Sequence, residues 1–487
     1  MLDAAARPTV QAVQAPLPLA VDLDGTLLAG DTLHEGLLTI LFRQPAAAPG
    51  IALAIRHGRA AFKRRVAALV PAASDALPVH PAFLDWLREQ KASGRQLHLV
   101  TAADQSVADE VAIRLGMFET ATGSDGVTNL GGAAKAAFLQ RRFPDGFAYA
   151  GDSVDDLAVF AVARESVLVN ASPGVAAQVR AMDRPVIAEF PGPAPSLAGW
   201  ISAFRLHQWS KNLLLFVPLV LGHKLGDVEA FTRCIAGILV MGCAASGTYL
   251  LNDLADLRAD RAHPKKRHRA LAAGRIPVLA GLAAACLLLF AGVLGAAALG
   301  PNVLLCIVGY VAVSLTYSAI LKRVPLLDTL VIGGLFTLRL ALGVELAQVP
   351  YSPWLLSFAA FFFFSLALAK RHAEVMQARE GQAAAALRWR GYRPEDWPLT
   401  LGFGLASAMA ALQIMILFVA DDAAPSRLYS SPAWLYAAPA IVAVWLTRIW
   451  LLSHRQELWH DPVMFALRDR TSWALGAAVA LAIAVAL

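Results

Sequence analysis

The chain has 487 residues, of which 57% are hydrophobic and only 16% charged, with mean hydropathy +0.55. A soluble domain carries about 25% charged residues, so this balance excludes a wholly soluble chain. The net charge of +6 reflects loop asymmetry rather than a nucleic-acid surface, and no nucleic-acid partner is expected.

The charge deficit is uneven. Residues 1–200 alternate polar and apolar stretches as a soluble domain does, whereas long apolar runs dominate from about 210 onward. The break falls in the Pro/Gly-rich stretch "EFPGPAPSLAG", Glu189 to Gly199, which reads as a linker. The expected organisation is a first domain over 1–192, a linker over 193–204 and a membrane domain over 205–487. No positively charged leader joined to an apolar core opens the chain, so no cleaved signal peptide is read. The first domain is expected to stay on the cytoplasmic side.

In the first domain, "LAVDLDGTLL" (Leu19 to Leu28) is a short apolar run that delivers Asp22 and Asp24 into a tight turn. "LHLVTAAD" with Thr101 follows, then Lys135 in "GGAAKAAFL", then "YAGDSVDDL" with Asp152, Asp155 and Asp156. These four motifs, in this order, resemble the haloacid dehalogenase superfamily, which implies an α/β Rossmann-like domain and phosphatase chemistry. Asp22 would attack phosphorus to form an aspartyl-phosphate. Asp24 would protonate the leaving oxygen and then activate water. Mg²⁺ held by Asp22, Asp152 and the Asp24 carbonyl would neutralise the phosphoryl group, helped by Lys135 and Thr101. The insert over about 30–80 is rich in Ala and basic residues (Arg56, Arg59, Lys63, Arg64, Arg65) and reads as a helical cap. Its basic stripe reads either as a solvated face or as a surface meeting an anionic substrate or membrane.

The second domain divides into about nine candidate helices, making it an all-α polytopic bundle. They fall near 212–222, 231–251, 277–299, 302–320, 325–347, 353–369, 398–420, 433–452 and 473–487, the first and last being short. One set of loops carries Arg205, Lys211, the cluster Arg258 to Arg275, Lys322, Arg323, the segment Lys370 to Arg393, and Arg455 to Arg470. The opposite set carries little more than Lys224, Arg233 and Arg427. The positive-inside rule puts the first set in the cytoplasm and predicts N-in, C-out in the inner (plasma) membrane. Cys234, Cys243, Cys286 and Cys306 all lie in apolar runs, without metal-ligand spacing, and read as packing residues.

Carboxylates and cations cluster after the second of these helices. Asn252, Asp253, Asp256 and Asp260 are spaced three or four apart, which on a helix lines one face. Carboxylates this dense repel one another unless a cation sits among them. Hard oxygen donors suit Mg²⁺ completed by substrate phosphates, with Lys265, Lys266, Arg267 and Arg269 holding the remaining phosphate charge. The bland alternative is a solvated helix end with positive-inside lysines.

"NDLADLRAD" resembles the NDxxDxxxD motif of the UbiA superfamily of intramembrane prenyltransferases. The family's second Asp-rich motif is replaced here by "LAKRHAE", with Lys370, Arg371 and Glu374. The chain looks like the subgroup of decaprenyl-phosphate 5-phosphoribosyltransferases, with an "HQWxKN" opening at His207, Gln208, Trp209, Lys211 and Asn212. "DRAHPKKRHRALAAG" is similar to that subgroup's DRxHPxKRxRPIAxG segment, except that Ala270 and Leu271 replace Pro-Ile. The resemblance implies phosphoribosyl pyrophosphate as donor and a polyprenyl phosphate as acceptor. More cations and fewer carboxylates suit the extra phosphates.

Arg339 in "LFTLRLALG" costs about 2.5–3.5 kcal/mol on insertion scales, so it must face a cavity or a partner. It reads equally as a phosphate contact and as half of a buried pair with Glu345 or a neighbouring helix. Tyr317 and Asp328, flanking Lys322 and Arg323, are further candidates for the site's mouth. The expected whole is a bifunctional enzyme: phosphoribosyl transfer to the lipid, then removal of the 5-phosphate to give polyprenyl-phosphoryl ribose. The rival reading is transfer of a polyprenyl group to an aromatic acceptor. A transporter with a phosphatase-like sensor would leave the Asp ladder unexplained, and no inverted repeat favours it.

Overall fold

The structure is a computed structural model that describes residues 16–70, 78–192, 196–381, 387, 390–425, 429–458 and 462–487. The N-terminal segment read for a leader, linker residues 193–195, the end of the cap insert (71–77), parts of the Lys370–Arg393 segment and Arg427 lie outside the described residues. The chain forms two compact units: residues 1–204 with 253–284, and residues 205–252 with 285–487. Contacts thus group the charged stretch after Asn252 with the N-terminal unit, although in chain order it lies within the second.

The N-terminal unit is built on a six-stranded parallel sheet. Its strands are β1 (Leu19–Val21), β2 (Leu97–Asp104), β3 (Thr120–Ser124), β4 (Ala148–Gly151), β5 (Glu165–Val169) and β6 (Val186–Phe190), in the order β3-β2-β1-β4-β5-β6. The short apolar runs "LAV" and "AYAG" are buried throughout, as strands covered on both faces must be. One core layer joins Leu23, Phe83, Leu99 and Val111; the other joins Val100, Leu139, Phe160 and Val179. β1 is central, with β2 on one side and β4 on the other. The order in which strands are added therefore reverses between β1 and β4, and the crevice outside the carboxyl ends of strands at such a point is where doubly wound folds bind ligands.

The insert after β1 is helical, as its composition predicts: Thr32–Arg43, Ala48–Ala54 and Arg59–Leu69. Asp31 caps the first helix by accepting from the His34 N–H at 2.9 Å. Ile40, Ile51, Val66 and Val70 form a small core of their own. Gly36 lets the first and third helices approach, since a methyl there would lie 2.7 Å from Val66 Cγ1.

In the second unit and its connections, seven helices are long and apolar enough to cross a membrane among the described residues. They are Val228–Ala255, Val278–Leu299, Pro301–Ala319, Leu327–Ala347, Pro353–Arg379, Pro394–Ala423 and Pro432–His454. The count is lower than nine because the two short stretches stay short. The first is a tight 3-10 coil, Leu206–Phe216, followed by Val217–Leu221. The last is Arg470–Ala486, of 17 residues. The chain is a multi-pass membrane protein. Small residues bring helices together: Gly333 packs with its Cα region against the backbone of Phe364, and Gly292 against that of Ala244, as bundles in lipid require.

Candidate functional site

The sheet brings the four N-terminal motifs to one place. Asp22 follows β1, Thr101 lies within β2, and Asp152 follows β4, so three adjacent parallel strands present them at the same edge. Lys135 enters from the helix Ala133–Arg142. Its ammonium lies 2.9 Å from Asp22 Oδ1 and 3.1 Å from Asp156 Oδ1, and it donates to the Tyr149 hydroxyl at 2.9 Å. Tyr149 in turn donates to Asp156 at 2.5 Å. Thr26 donates to Asp152 Oδ1 at 3.1 Å. Asp24 accepts from the Thr32 N–H at 2.8 Å and from its hydroxyl at 3.1 Å. The Thr101 hydroxyl oxygen accepts from the Ala103 N–H at 3.0 Å.

Burial and crowding govern the charges. Burial, reinforced by Asp156 and opposed by Lys135, pushes the Asp22 carboxyl up to about 6. Burial and neighbouring Asp31 push Asp24 up to about 7. Burial, with Asp22 and Asp156, pushes Asp152 up to about 8. Burial alone would lower Lys135, but Asp22 and Asp156 hold its ammonium above the ordinary lysine value. Asp22, Asp152 and Asp156 are the one group of three among the described residues whose ligand atoms fall within 4.8 Å of one another. Three clustered hard oxygen donors, of which Asp22 and Asp152 are held back from ionising by burial, fit Mg²⁺. Asp156 is already engaged by Lys135, Tyr149 and Ser153, which leaves Asp22 and Asp152 as the facing donors.

Three further side chains of the cluster are evident only from the structure. Tyr149 and Thr26 stand inside the sequence motifs, where their place beside carboxylates is the only signal. In the sequence Lys63 belongs to a basic stripe. Its ammonium instead donates to the Ala102 carbonyl at 2.6 Å and to Asn129 at 3.0 Å. Burial draws it below the usual lysine value while Asp24, Asp31 and Asp22 pull the other way.

The carboxylate ladder does not ride one continuous helix. The long helix ends at Ala255, Asp256 takes φ −94° and ψ 8°, and the short helix Leu257–Ala262 carries Asp260. Asp readily leaves helical geometry because its side chain competes with the backbone. Arg269 reaches both ends, with Nη1 3.0 Å from Asp253 and 2.6 Å from Asp260, and Lys266 lies 3.7 Å from Asp260. Asp253 and Asp260 are buried, whereas Lys265 and Arg267 are exposed. The bridging arginine supplies here the positive charge that the ladder requires.

Within the second unit, Trp209 of the "HQWxKN" stretch donates to Ser246 at 3.0 Å and fills the notch over Gly242. Asn212 is buried and lies 3.4 Å from the Ile238 carbonyl; the Lys211 ammonium sits 5.3 Å from the centre of the Phe336 ring. Lys322 is buried. A small cavity of about 130 Å³ is lined by Lys370, Arg371, Glu374, Tyr317 and Arg390. Arg371 is buried and pairs with Asp328 at 2.7 Å and with Glu374, while Tyr392 donates to Asp328 at 2.6 Å. Asp328, fully buried in that network, is not at a mouth. Arg339 donates to the Leu335 carbonyl at 2.9 Å and the Tyr310 hydroxyl at 3.1 Å, with its guanidinium over the Tyr310 ring. Glu345 accepts from Asn302 at 3.1 Å instead.

The UbiA prenyltransferase family matches residues 212–484, and the haloacid dehalogenase-like hydrolase family matches residues 19–161. An uncharacterized protein of Sinorhizobium fredii, y4nM, is 47% identical over 97% of this chain and 91% of its own length. The nodulation protein NoeC of Azorhizobium caulinodans is 32% identical over 56% of this chain and 88% of its own. A decaprenyl-phosphate phosphoribosyltransferase of Mycobacterium tuberculosis is 35% identical over 39% of this chain and 65% of its own. With its match covering more than half of the sequence, the chain belongs to the UbiA prenyltransferase family and carries a haloacid dehalogenase-like domain in its N-terminal part.

Proposed function

We propose that the protein transfers a 5-phosphoribosyl group from phosphoribosyl pyrophosphate to a polyprenyl phosphate, and that its N-terminal domain then removes the 5-phosphate. The observation that carries the first step is the likeness to the mycobacterial phosphoribosyltransferase, with Lys370 and Arg371 standing in place of an acidic motif. The lipid phosphate oxygen attacks the anomeric carbon, the bond to pyrophosphate breaks, and pyrophosphate leaves. Asn252, Asp253, Asp256 and Asp260 are the proposed metal-holding set, and Lys211, Asn212, Lys265, Lys266, Arg267, Arg269, Lys322, Arg339, Lys370, Arg371 and Glu374 the proposed phosphate-binding set. The proposed domains are 1–192 and 205–487, joined by 193–204, in an inner membrane with the N-terminal domain cytoplasmic.

In the second step Asp22 attacks phosphorus and the bond to the ribose 5-oxygen breaks. Asp24, poised near neutral pH, gives that oxygen its proton and then takes one from the water that frees Asp22. Lys135 compensates the charge on Asp22 and Asp156 throughout. Mg²⁺, when held by Asp22, Asp152 and the Asp24 carbonyl, neutralises the phosphoryl oxygens.

Incubation with labelled phosphoribosyl pyrophosphate and polyprenyl phosphate tests the whole sequence. Wild type should yield the dephosphorylated ribosyl lipid, Asp22→Asn its 5-phosphate, and Asp256→Asn neither. An unchanged product ratio in Asp22→Asn refutes the second step. Prenylation of 4-hydroxybenzoate without any ribosyl lipid refutes the first.

A further inference from the structure

The edge of the sheet that holds Asp22 opens into a cavity of about 550 Å³. Its lining includes Asp22, Asp24 and Lys135, the cations Lys63, Arg258 and Arg261, and the aliphatic side chains of Val66, Val70, Leu271, Ile276, Val278 and Leu279. The last four come from the segment after the carboxylate ladder, which belongs to this same compact unit. That segment is fastened at two points. Arg261 forms a two-pronged pair with Glu35 of the cap, at 2.6 and 2.7 Å, and donates through Nε to the Ala272 carbonyl at 3.1 Å. Both side chains of the pair are nearly inaccessible, at 6% and 7% exposure. Gly274, at φ +69°, lies so near the turn after Asp24 that a methyl there would sit 2.9 Å from Ala29 Cβ. Positive φ and close approach together require glycine at that position.

A site that handles only small phosphate esters has no use for an apolar wall, and six aliphatic side chains give little to a free sugar phosphate. We propose that residues 271–279 form a fixed roof that makes this phosphatase site selective for phosphate esters of amphiphiles, and that the Glu35–Arg261 pair is the positioning element that holds the roof. The ester's phosphate meets Asp22 while the aliphatic part lies along Val66, Val70, Leu271 and Ile276. Hydrolysis consumes one water: its oxygen ends on phosphate, the phosphorus–oxygen ester bond breaks, and the alcohol departs with a proton. The two positions where this segment departs from the phosphoribosyltransferase pattern, Ala270 and Leu271, are both buried, and Leu271 contributes directly to the roof. The inference rests on the phosphatase reading of the N-terminal domain.

The test uses the full-length protein in detergent with Mg²⁺ and two probes, ribose 5-phosphate and the octyl phosphodiester of 5-phosphoribose. Phosphate release from wild type should show kcat/KM at least tenfold higher for the octyl compound, through a lower KM. Leu271→Ala and Ile276→Ala, which keep the ion pair, should reduce that preference at least threefold. Arg261→Ala should nearly abolish it, and Arg261→Lys should retain part of it. Equal kcat/KM for the two probes in wild type overturns the roof and leaves the phosphatase intact. No phosphate release from either probe overturns the phosphatase reading itself. A preference that survives all three alanine variants also overturns the roof.

Discussion

Replacing Lys135 by Met tests whether charge compensation, rather than packing, organises the phosphatase site. The Lys135 side chain is almost inaccessible, and its ammonium serves Asp22 at 2.9 Å and Asp156 at 3.1 Å. Removing one partner of a buried pair costs about 3–5 kcal/mol. Two like charges within 4.8 Å of each other repel by about 3.5 kcal/mol at an effective dielectric near 20, which is the main part of that cost and not an addition to it. The expected loss is therefore about 4 kcal/mol. With a urea slope of about 2 kcal/mol/M, this lowers the midpoint by about 2 M. Brief proteolysis across a urea series, with fragments assigned to the N-terminal unit, reads that midpoint. Millimolar Mg²⁺ should recover a large share of the loss, because the cation replaces the missing charge. A midpoint equal to wild type without Mg²⁺, or a loss indifferent to Mg²⁺, refutes the reasoning.

The same cluster predicts a pH dependence in metal-free protein. Asp152 ionises near the ordinary carboxylate value when unfolded but only around 8 when folded. The unfolded form therefore gives up its proton first, and stability should fall as pH rises from about 4 to about 8 and then level off. The same proteolysis assay with chelator reads it; a flat profile contradicts the clustering. In the membrane bundle, Arg371→Met leaves the fully buried Asp328 without its guanidinium, at a cost of about 3–5 kcal/mol. Heat unfolding in detergent should show that loss, and adding Asp328→Asn should recover part of it; a double variant no better than the single contradicts the pairing.

The sequence makes legible what is local. Apolar strands that end in carboxylates announce β1 and β4, and alternation of Ala with basic residues announces the cap helices. Long apolar runs announce the spans, and the charge of Arg339 announces an anomaly. Partners distant in the chain are not legible. Lys63 looks like one more surface cation until β2 supplies the Ala102 carbonyl. Glu35 and Arg261 stand 226 positions apart, and no periodicity links them. The ladder's spacing suggests one helical face, yet a single non-helical residue, Asp256, divides it. Arg339 signals that it needs a partner but cannot indicate whether a carboxylate, a carbonyl or a tyrosine will serve.

The discontinuity of the N-terminal unit bears on how the protein is made. Its contacts include residues 253–284, so synthesis must continue 80 residues past position 204 before they can all form. At about 5–20 residues per second that is a delay of about 4–16 s. During this interval the helix Val228–Ala255 is synthesised, while Glu35 waits without its arginine and the cavity lacks one wall. A fragment ending at the linker would remain at that stage indefinitely, with a carboxylate destined for burial and an uncovered apolar edge beside the nucleophile. Completion of the N-terminal unit is in this way timed by production of the apolar helix Val228–Ala255.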